Sequence, residues 1–158
     1  MSEPRHLDET LDGVSTVEVR TSASAALIPT IRAVASDLAA RADFDLDAIS
    51  DLRMAVDEGR AGLVDVAAPR SVLQCTFQVR PERIQVLAEV QAAQPDATVS
   101  TDTFGWRVLK TLADEVEVHH GTAGEDGRGT VGIRLDKRAG VLTQSTSFPV
   151  PRPNGEGR

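Results

Sequence analysis

Apolar positions change period several times along the chain, and each change marks a predicted element. Val14, Val17 and Val19, interleaved with Thr16, Glu18 and Arg20, alternate in part, as a half-buried strand does. Leu27, Ile31, Val34 and Leu38 then recur at spacings of four, three and four, which predicts an amphipathic helix. Pro29 fits only the first turn of such a helix, so its start is placed at Ala26 to Ile28. Asp43 and Asp45 break the stripe. Asp45 suits the N-cap of a second helix, with Asp47 well placed for its dipole. Leu46, Ile49, Leu52, Val56 and Leu63 predict the buried stripe of that helix, which runs to Val66 and is ended by Pro69. Gly59 and Gly62 each weaken it by about 1 kcal/mol relative to alanine, a cost that points to close approach by another group.

Val72 to Val79 and Ile84 to Val90 are two strand-like runs joined by Arg80-Pro-Glu-Arg83, which predicts an antiparallel hairpin. Residues 91–103 lack periodicity and form a loop that is long for an ordinary connection. Phe104 to Leu112 predicts a third helix, with Phe104, Val108, Leu109 and Leu112 inward and Thr103 or Asp102 as its N-cap. Val116 and Val118 begin another strand, Gly121 to Gly129 a glycine-rich turn, and Thr130, Val131, Ile133 and Leu135 the last strand. The predicted organisation is a loose segment over 1–12, one domain over 13–138 and a disordered tail over 139–158. An order of β-α-α-β-β-α-β-β with adjacent hairpins packs as a two-layer α/β sandwich, its helices on one face of the sheet.

Composition narrows the function classes. A net charge of −7 over 158 residues argues against a general nucleic-acid surface and favours a basic partner or plain solubility. Cys75 is the single cysteine and sits in an alternating apolar run, so it reads as a buried thiol and not a nucleophile. The first residues carry no apolar signal region and no window approaches a membrane span, which leads to the expectation of a cytoplasmic protein without membrane contact. His119 and His120 lack a cysteine or carboxylate at metal-ligand spacing, so no metal site is expected there.

The richest chemistry lies in Asp51-Leu-Arg-Met-Ala-Val-Asp-Glu58-Gly-Arg-Ala-Gly62. Residues four apart share a helix face, so Glu58 and position 62 point into one space. A carboxylate and a second polar group at that spacing activate a hydroxyl and hold hydrated magnesium, but Gly62 offers no side chain. The plain alternative is that Asp57 and Glu58 form part of a solvated acidic face.

This segment, Phe104-Gly-Trp-Arg-Val-Leu-Lys-Thr-Leu-Ala-Asp-Glu-Val-Glu-Val and the closing Gly129-Thr-Val-Gly-Ile-Arg-Leu135 together resemble the GHKL (Bergerat-fold) ATPase superfamily. Within it the chain is similar to anti-sigma-factor serine kinases of the RsbW type, the actinobacterial anti-sigma-F factors closest. The resemblance covers about Val14 to Lys137. It implies a histidine-kinase-like ATPase fold whose mixed, mostly antiparallel sheet is covered by helices on one face. It casts Glu58 as general base toward a substrate serine, and Gly62 at the place of a magnesium-binding Asn. Ala92 falls where an Asp binds adenine, and Gly105, flanked by bulky Phe104 and Trp106, is what remains of a phosphate loop. An aromatic residue there is expected to close the phosphate pocket instead of lining it. With these positions altered, ATP and magnesium are expected to be held weakly or not at all.

Two functions follow from the resemblance. One is an anti-sigma factor that sequesters a stress- or sporulation-type sigma factor until an anti-anti-sigma (STAS-type) partner releases it. Its expected contact surface is the acidic segment Asp43, Asp45, Asp47 and Asp51, with the first helix as the other dimer or partner surface. The other is an active ATP-dependent serine/threonine kinase that phosphorylates the anti-anti-sigma factor. A pseudo-ATPase scaffold regulating something other than transcription is a third.

Overall fold

A computed structural model of the chain describes residues 13–23, 28–122 and 129–140. The expected loose segment 1–12, Leu27, the middle of the glycine-rich turn and the tail beyond Gly140 lie outside the described residues. The elements run β1 (Ser15–Ser22), α1 (Ile28–Arg41), α2 (Leu46–Val64), β2 (Val72–Arg80), β3 (Arg83–Gln91), α3 (Phe104–Leu112), β4 (Glu115–His120) and β5 (Thr130–Arg138). The five strands form one sheet in the order β1-β2-β3-β5-β4, and all four pairings are antiparallel.

Strand alternation decides which side of the sheet the helices take. Leu73, Cys75 and Phe77 of β2, Ile84, Val86 and Val90 of β3, and Val131, Ile133 and Leu135 of β5 are all buried on one face. Their neighbours Gln74, Thr76, Gln85 and Glu89 turn to the other face, which no described helix covers. On that open face Arg83 donates from Nε to both carboxylate oxygens of Asp136 at 2.9 Å, and this pairing raises the guanidinium pKa further. Burial pushes the Cys75 thiol up to about 11, so it stays protonated at neutral pH, consistent with a packing role.

Both central helices begin where local chemistry places them. Asp45 accepts a hydrogen bond from the Ala48 N–H at 2.7 Å, and Thr103 accepts one from the Trp106 N–H at 3.1 Å. Of the predicted α2 stripe Leu52, Val56 and Leu63 are buried and Ile49 packs against the core, and in α3 Leu109 is buried with Leu112 beside it; the first residue of each stripe departs from expectation. Leu46 is 83% exposed, because six residues before Leu52 place it roughly 240° around the helix. Ala48, Ala55 and Gly59 join the predicted Leu52, Val56 and Leu63 on the buried face. Phe104 is 81% exposed, contrary to expectation, since the α3 stripe is set by Trp106 and Leu109. In α1 the fully buried positions are Ile31, Ala35 and Ala39, with Val34 and Leu38 packed at the flank. Small side chains there let α1 approach α2 closely.

Two ion pairs tie α2 to its surroundings. Arg32 of α1 meets Asp57 at 2.5 Å, and Lys137 of β5 meets Asp51 at 3.4 Å. Ala139, assigned to the tail by composition, is 8% exposed and donates its N–H to the Glu82 carbonyl at 2.8 Å. No helix among the described residues is long and apolar enough to cross a membrane.

Candidate functional site

Glu58 and Gly62 do share a face of α2, and that face borders a cleft of about 320 Å³. Opposite stands the start of α3, bringing Thr103, Gly105, Trp106 and Leu109 to the same hollow. The glycine is what lets the two helices meet. A Cβ at Gly105 would lie 3.0 Å from Oε2 of Glu58, tighter than a carbon and a carboxylate oxygen tolerate at ease. Glu58 itself is partly buried and makes no hydrogen bond or ion pair among the described residues.

At Gly62 the missing side chain is replaced by a neighbour. A Cβ there would meet Val99 Cγ1 at 3.7 Å and Ile133 Cδ1 at 3.9 Å, both ordinary contacts. Val99 belongs to the 91–103 segment, which folds back over the C-terminal half of α2. Ala93 donates to the Val66 carbonyl at 2.9 Å, Ala67 and Ala92 form an isolated bridge, and Val99 is 7% exposed. Sequence periodicity misses Val99, yet it is the one large apolar side chain in an otherwise polar run. Asp65, also missed, lines the cleft two turns after Glu58.

The other expected site positions are dispersed. Ala92 does not line the cleft; it is 3% exposed and its N–H donates to the Gly129 carbonyl at 2.9 Å. Trp106 lines the cleft instead of sealing it, whereas Phe104 points into solvent. Asp45 caps α2 and Asp51 is tied to Lys137, while Asp43, in a turn with φ of +60°, and Asp47 are both exposed acids without a side-chain partner among the described residues. His119 lies 3.3 Å from Glu89 and His120 bonds Thr98 at 3.0 Å. Among the described residues no three His, Cys, Asp or Glu side chains gather as a metal site. A wider hollow of about 580 Å³ on the open sheet face, bordered by Arg20, Arg70 and Gln74, has no counterpart among the motif residues.

A helix bearing a carboxylate, a facing helix start and an antiparallel sheet behind them make up an α/β fold, and comparison with known proteins gives it a family. The family model of the histidine kinase-like ATPase domain matches residues 21–131. Two relatives from different strains of Mycobacterium tuberculosis, each named Anti-sigma-F factor RsbW, are 34% identical over 128 residues, 80% of this chain and 75% of theirs. The chain belongs to the histidine kinase-like ATPase family, and within it to the RsbW-type anti-sigma factors.

Proposed function

We propose that the protein is an anti-sigma factor that holds a sigma factor away from RNA polymerase by surface binding, without the help of nucleotide. An anti-anti-sigma partner of the STAS type releases it by competing for the same protein. The supporting observation is the state of the cleft: the scaffold around it is packed and capped, while its donor set does not suit magnesium-ATP. Magnesium takes oxygens in a near-ideal octahedron. The cleft presents Glu58 and Asp65, and Gly62 brings only the apolar contacts of Val99 and Ile133. The Thr103 hydroxyl is already engaged as the α3 cap. Among the described residues no lysine or arginine lines the cleft to meet a phosphate. The relatives named Anti-sigma-F factor RsbW support the sigma-factor side of the proposal, and binding at a preformed surface asks for none of these nucleotide contacts.

A serine/threonine kinase acting on the anti-anti-sigma partner is the second reading, and Glu58 is what favours it. Without a partner among the described residues, its carboxylate would accept the proton of a partner hydroxyl. Co-purification with a sigma factor in nucleotide-free buffer tests the first reading, and failure to retain every cognate sigma factor overturns it. Calorimetric titration with ATP and magnesium tests the second. Micromolar binding, with phosphoryl transfer by the wild type and none by Glu58→Gln, would establish the kinase.

A further inference from the structure

We propose that the α2–α3 cleft receives a basic side chain of a protein partner, a guanidinium or ammonium group carried on its apolar stem. The inference deepens the sequestration reading and rests on it for the protein nature of the partner. Three features of the cleft converge on a cation. Glu58 is partly withdrawn from water yet has no partner among the described residues, whereas Asp51 and Asp57 on the same helix each hold a basic side chain. Asp65 adds a second carboxylate at the rim. Among the described residues the lining contains no lysine, arginine or histidine to answer either one. A carboxylate in that position gains most from a charge-assisted hydrogen bond.

The walls distinguish a side chain from a bare ion. Val99, Ile133, Trp106 and Leu109 give the hollow an apolar floor. Lysine and arginine lay their methylene stems along such surface while the charged end reaches a polar group. A divalent ion gains nothing from that floor and finds no third acid beside it among the described residues. Gly105 keeps the Glu58 carboxylate where the incoming group would find it, since a methyl group there would crowd Oε2. The net charge of −7 draws basic surfaces toward the chain as a whole.

Trp106 is the sole tryptophan and lines the cleft, so its emission reports occupancy. The probe is a blocked tripeptide, acetyl-Gly-Arg-Gly-amide, titrated into the full chain. A saturable emission change is expected, about tenfold weaker in Glu58→Gln and unchanged in Glu82→Gln, an exposed acid outside the cleft. A response that does not saturate, or that Glu58→Gln leaves intact, overturns the proposal. Spermidine supplies the same charge as a free polyamine, and a tighter response to it than to the peptide would also overturn the side-chain assignment. Sigma-factor capture is measured in parallel with wild type and Glu58→Gln, and weaker capture by the variant is expected. Capture without an arginine response defeats the cleft proposal alone, while loss of capture by the wild type defeats the function beneath it.

Discussion

Asp57 and Glu58 are neighbours in sequence and stand in opposite circumstances. Asp57 faces α1 and is bound by Arg32 at 2.5 Å. Glu58, about 100° further round the helix, faces α3 and has no partner among the described residues. The same division extends along α2. Toward the N-terminus Asp45 caps the helix and Asp51 reaches Lys137; toward the C-terminus Asp65 borders the cleft with Glu58. One set of acids fixes the helix in the domain, and the other is left for whatever enters from outside. A pair of adjacent carboxylates that reads as a single motif is thus two devices, separated by one residue's rotation.

The scaffold side of this contrast carries the largest expected effect. Leu52 is fully buried between the acids that anchor α2. Leu52→Ala should lower unfolding stability by about 3 kcal/mol through lost burial and the cavity left behind. A shift in denaturant midpoint worth less than about 1 kcal/mol would mean that α2 is held by its ion pairs and not by its core face. Next in size is the cap. Asp45→Ala should cost about 1 kcal/mol, since the Ala48 N–H loses its acceptor. Asp47→Ala, with no side-chain partner among the described residues and only its place at the positive end of the helix to lose, should stay within about 0.5 kcal/mol of wild type. Equal losses from both would erase the division between anchoring and idle acids.

What the sequence disclosed of this arrangement is what local chemistry controls. Asp45 and Thr103 are caps because a short side-chain oxygen ahead of a helix has one good use. The hairpin of β2 and β3 is legible because alternation and a Pro-Glu turn specify it within a score of residues. Burial was harder to read. Leu46 and Phe104 are apolar and lie next to caps, but the buried stripes set by Leu52 in α2 and by Trp106 and Leu109 in α3 turn away from them. The placement of β5 beside β3 joins strands roughly 40 residues apart and rests on long-range packing. For the same reason the cleft was half legible. The shared face of Glu58 and Gly62 follows from helical spacing, whereas the return of Val99 onto Gly62 is a tertiary event within an aperiodic loop.

Gly62 offers a smaller test of that return. A Cβ at this position meets Val99 and Ile133 only at ordinary contact distances, so alanine fits without displacement. Gly62→Ala should then raise stability by up to about 1 kcal/mol from helix propensity, visible as an increase in Tm. A loss instead would show that the loop presses more closely on α2 than 3.7 Å, and that the glycine is there for packing.

The smallest expected effect is the sharpest on the comparison itself. Glu58→Gln removes a charge that no described group balances, so folding stability should move by less than about 0.5 kcal/mol. Asp57→Asn strips the partner from Arg32 and should cost more, up to about 1 kcal/mol for a pair of this exposure. Urea midpoints of the two variants, measured side by side at low salt, decide the matter. If Glu58→Gln proves the more damaging, the carboxylate is a structural tether to the start of α3, and the cleft loses the free charge on which its binding role depends.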